Sequence, residues 1–223
     1  MFHVKQKLNL PDLIEFLKSQ NIILNEKQIN DLRLYHEELL KWSRQINLIS
    51  KGDIGFSIER HFIPSFYYLK YLINNKIENE NTILDIGTGA GFPGIVLSIY
   101  FYNNVCLLDS SRKKSLFLKK IISKIGGNQT VFCSRVEEET FMKSHHFDII
   151  VARAVAPVSK LAKLVWPVMN KNGYLLTLKG DNYQSEIEKQ DVLTIKITEL
   201  DPIQEWTEYS PYLKNKIMLK LEK

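Results

Sequence analysis

The densest cluster of residues suited to ligand chemistry is the segment Asp85-Ile-Gly-Thr-Gly-Ala-Gly-Phe-Pro-Gly94. It follows an apolar, strand-like run and precedes Ile95-Val96-Leu97, which is typical of a turn from a strand into a helix. Glycine permits positive φ and leaves no side chain where a ligand must approach the backbone. Four glycines in the eight residues from Gly87 to Gly94 therefore predict a nucleotide-binding loop.

Two cofactors fit this loop. Gly89, Gly91 and Gly94 satisfy the dinucleotide fingerprint, and Asp109 follows Gly89 by 20 residues. A carboxylate at that position can bind the ribose hydroxyls of either cofactor. Asp85 discriminates between them, because its charge would repel a pyrophosphate and attract the ammonium and sulfonium groups of S-adenosylmethionine. We favour S-adenosylmethionine, with an NAD(P)-dependent oxidoreductase as the alternative.

The net charge of +5 is concentrated in the middle of the chain. Residues 81–180 carry 13 basic and 6 acidic side chains, whereas residues 1–80 carry 11 and 10 and residues 181–223 carry 6 and 9. A localised basic surface favours a polyanionic partner such as nucleic acid, and a solvated basic face is the alternative.

Five basic side chains are candidates for contact with an anionic ligand. Arg112, Lys113 and Lys114 open a predicted helix and form either an RNA phosphate track or a solvated face. Arg153 and Lys179 end later strands, beside the crevice where open parallel sheets bind ligands. Arg153 can hold a cofactor carboxylate or an RNA phosphate, and Lys179 is a candidate RNA contact.

The first 80 residues show apolar side chains at helical spacing. Asn25 and Gln28 form a predicted capping pair for a helix that should end near Arg44. A further helical stretch is predicted over Asp53–Ile63, where Pro64 forces a break or a new helix start.

From Thr82 onward, short apolar runs alternate with helical stretches. This order predicts an α/β fold of Rossmann-like type, a mostly parallel sheet with helices on both faces. We therefore predict a helical N-terminal extension, residues 1–80, and a Rossmann-like catalytic domain, residues 81–223. The seven predicted strands are Thr82–Ile86, Val105–Leu108, Thr130–Cys133, Asp148–Ala152, Tyr174–Leu178, Val192–Ile197 and Lys216–Leu221.

Composition excludes several classes of protein. The 223 residues are 44% hydrophobic and 25% charged, as in ordinary globular chains. The longest apolar stretch, Ile95–Tyr102, is far shorter than the roughly 20 residues of a membrane-spanning helix. Without a secretory signal we expect a cytoplasmic protein. Cys106 and Cys133 lie in strand-like runs as predicted buried thiols, and His145 and His146 lack neighbouring ligands, so we expect no metal site.

Taken together, these motifs resemble the bacterial RsmG (GidB) methyltransferases, which methylate N7 of a guanine in 16S ribosomal RNA. The resemblance covers most of the chain, and the Gly-Phe-Pro-Gly loop combined with Ala-Arg-Ala-Val-Ala is highly specific. Its segments are Trp42 with Asn47-Leu48, His61, Asp85 to Gly94, Leu108-Asp109-Ser110 with Lys113, Arg135-Val136-Glu137, Phe147-Asp148, Ala152 to Ala156, and Leu178-Lys179-Gly180.

The resemblance implies a set of cofactor contacts and a methyltransferase activity. Gly87 and Phe92 would line the methionine and adenosine sides of an S-adenosylmethionine pocket. Val136 and Glu137 would border the adenine, and Arg153 would reach the pocket from the fourth strand. The implied partner is 16S rRNA or the small ribosomal subunit, and we expect a monomer that binds neither metal nor membrane.

The chain departs from the family pattern twice. Val136 stands where the family usually has Ala, and Pro64 stands where it usually has Asp. Because guanine N7 carries a free lone pair, its methylation needs in-line positioning and no general base, so no catalytic residue is assigned. A methyltransferase acting on a small molecule or protein is a further alternative. A non-enzymatic RNA-binding module would leave the Asp85 loop unexplained.

Overall fold

The computed structural model describes residues 7–77, 80–101, 104–187, 195–200 and 204–222, without the side chains of Glu139 and Gln204. The helices of this part of the chain are α1 Leu10–Ser19, α2 Glu26–Ser43, α3 Ile63–Asn74, α4 Gly94–Phe101, α5 Arg112–Lys124, α6 Glu139–Ser144, α7 Val158–Val165 and α8 Gln204–Tyr209. The strands are β1 Ile83–Ile86, β2 Val105–Leu108, β3 Val131–Phe132, β4 Phe147–Arg153, β5 Met169–Gly180, β6 Lys196–Leu200 and β7 Lys216–Glu222.

The strands form one sheet in the order β3-β2-β1-β4-β5-β7-β6. β1 to β5 are parallel to one another, and β7 runs antiparallel to both β5 and β6. The predicted mostly parallel seven-stranded sheet is confirmed. Ile86 pairs with Leu108 on one side and Ala152 on the other, so β1, β2 and β4 bring their following loops to one edge. That edge is where parallel sheets bind ligands.

Two strand predictions differ from the structure by more than two residues at one end. β5 begins at Met169 rather than Tyr174, because Met169 already pairs with Phe147 of β4. β6 begins at Lys196 and continues to Leu200. Residues 192–194 of the predicted strand Val192–Ile197 lie outside the described residues.

The predicted capping pair of α2 is confirmed. The Asn25 side chain accepts a hydrogen bond from the Gln28 amide at 2.9 Å, and the Gln28 side chain accepts one from the Asn25 amide at 2.8 Å. This reciprocal arrangement satisfies two amides that a helix start leaves without partners. α2 ends at Ser43 with Arg44 as its cap, as expected.

The stretch before α3 is helical but not α-helical. It consists of a 3₁₀ turn, Ile54–Phe56, and a π-helical turn, Ile58–Phe62. α3 then begins at Ile63 with Pro64 in its first turn, so Pro64 starts a helix as one of the two predicted outcomes. Because proline has no N–H, Pro64 cannot donate to the carbonyl of Arg60 four residues earlier.

Both faces of the sheet are covered by apolar packing. One hydrophobic cluster contains Phe16, Leu32 and Phe66 from the N-terminal helices together with Ile83 and Leu107 from the sheet. A second cluster covers the opposite face, where alternate residues of the same strands meet α7 and β7. The three N-terminal helices are therefore packed into the core of the sheet.

Two buried tyrosines connect these helices to the carboxyl edge of the sheet. The Tyr35 hydroxyl of α2 donates to the carbonyl of Ala90 in the glycine loop at 2.9 Å. The Tyr68 hydroxyl of α3 donates to the carbonyl of Ala152 at 2.7 Å and accepts from the amide of Leu178 at 2.8 Å. Through these bonds α2 and α3 fix the ends of β4 and β5 and the loop after β1.

The prediction of two buried thiols is wrong for Cys133. Its side chain is exposed and that of Cys106 is half-buried. β3 is only two residues long, so Cys133 lies past its end, where no strand covers it. Within the described residues, no helix is long and apolar enough to cross a membrane, and no group of His, Cys, Asp or Glu side chains is arranged to hold a metal ion.

We predict that Tyr68→Phe lowers the free energy of unfolding by about 1–3 kcal/mol, since the Ala152 carbonyl and the Leu178 amide both lose a buried partner. Urea denaturation followed by circular dichroism measures this loss. Tyr100→Phe, at a half-buried position of α4, is the matched control and should cost much less. Equal losses in the two variants would show that the Tyr68 hydrogen bonds contribute little.

Candidate cofactor site at the carboxyl edge of the sheet

The glycine loop crosses from β1 to α4 in a conformation that other residues rarely adopt. Gly87 and Gly89 have φ of 63° and 61°. The Thr88 amide donates to the carbonyl of Leu108 at 3.0 Å, which holds the loop against the end of β2. A Cβ atom on Gly87 would lie 2.9 Å from Cγ2 of Val155, so the loop after β4 approaches the Gly87 backbone directly.

The Asp85 side chain lies beneath this loop and accepts hydrogen bonds from both of its ends. Its Oδ2 accepts hydrogen bonds from the Thr88 hydroxyl at 2.5 Å and from the Gly94 amide at 2.7 Å. Its side chain is fully buried, and Oδ1 has no hydrogen-bond partner among the described residues. A Cβ atom on Gly94 would lie 2.6 Å from Oδ2, so glycine is required there for the close approach.

The electrostatics of Asp85 depend on this burial. Desolvation raises the pKa of the carboxyl to about 7, against the opposing effect of its two hydrogen bonds. The carboxylate lies beneath the loop, and Asp85 is not among the residues that line the cavity beside it. A cationic ligand above the loop would favour its ionised form.

A cavity of about 320 Å³ opens beside the loop, between the segments that follow β1, β2 and β4. Four predicted cofactor residues meet in it: Gly87, Asp109, Val136 and Glu137. Val136 is buried and Glu137 is exposed at the rim. The cavity is lined by Ile86, Gly87, Leu108, Asp109, Ser110, Ser134, Arg135, Val136, Glu137, Val155, Ala156, Lys160 and Leu164.

Asp109 joins two loops at the cavity wall. Its Oδ2 accepts from the Gly89 amide at 2.9 Å, and its Oδ1 accepts from the Ser111 amide at 2.8 Å, directly before α5. The ammonium of Lys114 lies 3.9 Å from Oδ2. Each carboxylate oxygen has a second lone pair, so both oxygens can still accept a hydrogen bond from a ligand hydroxyl. The Gly89 amide, in contrast, is already occupied by Asp109.

Phe92 lies away from this cavity, although the family resemblance implies a cofactor contact. Its ring packs on Tyr35 and Phe62 and stacks on His61, with centroid distances of 5.3, 5.0 and 5.2 Å. Burial and the nearby Arg153 guanidinium lower the pKa of His61 to about 4, so its imidazole is neutral at pH 7. Phe92 thus connects the glycine loop to the N-terminal helices.

Arg153 also lies outside the walls of this cavity. Its Nη2 donates to the carbonyl of Arg60, in the π-helical turn before α3. Its guanidinium lies 4.9 Å from the centroid of the Tyr212 ring, and its buried Nη1 has no hydrogen-bond partner among the described residues. Arg153 therefore connects the end of β4 to an N-terminal and a C-terminal segment.

Lys179 holds the loop after β4 in place. Its ammonium donates to the carbonyl of Ala156 and to Glu186 Oε2, the latter at 2.7 Å. The same carboxylate oxygen accepts from the amide of Val158 at 3.0 Å. With its side chain 10% exposed, Lys179 is occupied in fixing this loop and is not free to contact RNA here.

Only some of the basic residues of α5 are exposed enough to contact RNA. Arg112 and Lys113 are exposed in the first turn, whereas Lys114 is directed toward Asp109. Other residues that line the cavity were not predicted as cofactor contacts. Lys160 and Leu164 lie on α7, where no sequence motif marked them, whereas Val155 and Ala156 belong to the segment that carries the family resemblance.

Comparison with known proteins identifies the family. The family model "GidB: rRNA small subunit methyltransferase G" matches residues 28–204. Proteins named Ribosomal RNA small subunit methyltransferase G are similar along most of their length. The protein from Thermoanaerobacter sp. (strain X514) is 36% identical over 180 residues, 79% of this chain and 74% of the relative. The protein from Bacillus subtilis (strain 168) is 32% identical over 185 residues, 81% and 76% of the two chains.

Solved structures share the fold. A crystal structure of an MtNAS variant in complex with S-adenosylmethionine superposes with a TM-score of 0.57 at 14% identity, covering 97% of this chain and 84% of that one. The family decides between the two cofactors that the glycine loop left open. The chain thus belongs to the GidB family, rRNA small subunit methyltransferase G, and is an S-adenosylmethionine-dependent methyltransferase.

Proposed function

We propose that the protein transfers the methyl group of S-adenosylmethionine to N7 of a guanine in 16S rRNA of the small ribosomal subunit. The observation that carries the proposal is the glycine loop, which is held closed by the buried carboxylate of Asp85. The cavity beside this loop is lined by Asp109, whose position at the end of β2 is that of a ribose-binding carboxylate. The names of the relatives support the ribosomal substrate.

The cofactor supplies a methyl group on a sulfonium, and the residues of the chain hold it in place. Asp109 accepts from the ribose hydroxyls, Glu137 and the Val136 backbone border the adenine, and the Gly87 backbone receives the methionine part. Substitution of Ala by Val at position 136 leaves that backbone contact intact. Asp85 acts through the loop, keeping the Gly87 backbone in its left-handed conformation and supplying negative charge beneath a cation.

The predicted RNA contacts and domain boundaries belong to the same proposal. Exposed Arg112 and Lys113 contact RNA phosphates, and Lys114 supports them. Residues 1–80 form the helical extension and residues 81–223 the methyltransferase domain of a cytoplasmic monomer. Because the extension and the sheet share one hydrophobic cluster, the extension packs directly against the methyltransferase domain.

The direct test is incubation with methyl-labelled S-adenosylmethionine and small ribosomal subunits or their naked rRNA, followed by nucleoside analysis. We expect the label in 7-methylguanosine of the rRNA. Label in protein or in a small molecule, or in another nucleoside, would contradict the proposed substrate or the proposed atom.

Gly87→Val should abolish S-adenosylmethionine binding. The residue has φ of 63°, and its Cβ would lie 2.9 Å from Val155, so the loop would have to move out of the cavity. Calorimetric titration measures the dissociation constant. Gly52→Ala is the control, because nothing lies within 4 Å of that Cβ position. Unchanged affinity in Gly87→Val would remove this loop from the cofactor site.

Arg112→Glu combined with Lys113→Glu should weaken binding to a 16S rRNA fragment and flatten its salt dependence, since each phosphate contact adds about 0.7–0.9 to the logarithmic salt slope. Filter binding at several salt concentrations measures both quantities. The control is Lys18→Glu with Lys171→Glu, which reverses two exposed charges elsewhere. An unaltered salt slope in the α5 variant would show that α5 does not bind the RNA backbone.

A further inference from the structure

A second and larger cavity, of about 810 Å³, lies between an N-terminal and a C-terminal segment. The hydroxyl of Ser210 donates to the carbonyl of Glu59 and so joins the two walls. A volume of this size accommodates a nucleotide. The cavity is lined by Leu8, Phe56, Glu59, Arg60, Glu208, Tyr209, Pro211 and Tyr212.

Aromatic rings of this cavity wall lie close to cationic side chains. Phe56 and Tyr209 are 39% and 40% exposed, which is unusual for large apolar side chains in the described part of the protein. The Lys7 ammonium lies 5.2 Å from the centroid of the Phe56 ring, and the Lys216 ammonium lies 5.4 Å from that of Tyr212. Exposed rings paired with cations are how proteins stack the bases of single-stranded nucleic acid.

Glu59 adds a specific polar group to the cavity wall. The residue is 9% exposed, and its Oε1 accepts from the Leu8 amide at 2.9 Å. Its Oε2 is buried without a hydrogen-bond partner among the described residues. A buried carboxylate oxygen without a donor is costly, so the wall is suited to a ligand that presents N–H groups.

Guanine matches that requirement best among the four RNA bases. Its Watson–Crick edge presents two adjacent donors, N1–H and the 2-amino group, to the two oxygens of one carboxylate. Adenine presents an acceptor, N1, beside its single amino group, and a carboxylate would repel that acceptor. Cytosine and uracil each present one donor.

The cavity is also connected to the cofactor edge of the sheet. Arg153 stacks over Tyr212 of the cavity wall and donates to the carbonyl of Arg60, another wall residue. It precedes by two residues Val155, which lines the cofactor cavity. Nη1 of Arg153 is buried without a hydrogen-bond partner among the described residues, so this side chain beside the wall has an unused donor. A guanidinium is suited to the O6 atom of guanine, which neighbours N7.

We propose that this cavity, the acceptor cavity, binds the unpaired guanine of the substrate RNA. Tyr212 and Phe56 offer rings for stacking, Glu59 accepts from N1–H and the 2-amino group, and Arg153 donates to O6. This arrangement leaves N7 on the side of the base that faces β4. The inference rests on the proposed function and names the site of its acceptor base.

The test uses fluorescent single-stranded RNA pentanucleotides with guanosine, inosine or adenosine at the centre and uridine elsewhere. Fluorescence anisotropy measures their dissociation constants on the full chain. We expect the wild-type protein to prefer guanosine over adenosine by about tenfold, the discrimination typical of one bidentate base contact. Inosine, which lacks the 2-amino group, should bind with intermediate affinity.

Glu59→Gln should reduce the preference for guanosine over adenosine to near unity while binding to the adenosine oligomer is retained. Tyr212→Ala should weaken binding of all three oligomers, and Tyr212→Phe, which keeps the ring, should restore it. Glu15→Gln, at an exposed position of α1, is the matched control for loss of a carboxylate. Thermal melts confirm that each variant is folded.

An unchanged base preference in folded Glu59→Gln would overturn the proposal, as would equal binding of the guanosine and adenosine oligomers by the wild-type protein. The methyl-transfer assay separates this failure from failure of the proposed function. If the wild-type protein labels 7-methylguanosine and Glu59→Gln does so with the same KM, the activity holds and the acceptor cavity is wrong. If the wild-type protein labels no guanosine, the proposed function itself fails.

Discussion

The hydrogen bonds that Asp85 accepts from Thr88 and Gly94 are the constraint on which the cofactor site depends. They close the glycine loop at both ends and hold Gly87 in its left-handed conformation. The carboxylate loses its hydration in doing so, and its pKa rises to about 7. A buried charge of this kind is unfavourable by itself, and a sulfonium and ammonium placed above the loop would offset part of that cost. Loop closure and cofactor charge are therefore linked through one side chain.

The N-terminal helices also hold the cofactor site in place. α2 reaches the glycine loop through Tyr35, and α3 reaches the ends of β4 and β5 through Tyr68. Phe92 packs against Tyr35 of α2 and Phe62 of the π-helical turn, which gives this loop residue a structural role wherever the cofactor lies. A related contact lies near Pro64, since the carbonyl of Arg60, four residues before it, is bound by Arg153. A departure from the family pattern thus coincides with a contact between the extension and the end of a catalytic strand.

Much of this architecture could be predicted from the sequence because it depends on local patterns. Strand-like runs, the Asn25 capping pair and the glycine loop each have a short-range physical cause, and all three are confirmed. The position of Asp85 below its loop, by contrast, depends on how closely Gly94 approaches. Lys179 pairs with Glu186 seven residues away, and Arg153 meets Tyr212 across the fold. Contacts between side chains on different loops leave no periodic signal. The sequence therefore predicted that these side chains lie at the carboxyl edge of the sheet, but it could not predict their partners.

The central claim is that a loop closed by a buried carboxylate forms a site for a cationic nucleoside cofactor. Isothermal titration calorimetry of the full chain with S-adenosylmethionine, and separately with NADH, tests it most directly. We expect saturable binding of one S-adenosylmethionine per chain, no heat of binding for NADH, and weaker S-adenosylmethionine binding by Asp85→Asn. Saturable NADH binding without S-adenosylmethionine binding would show that this loop does not form such a site.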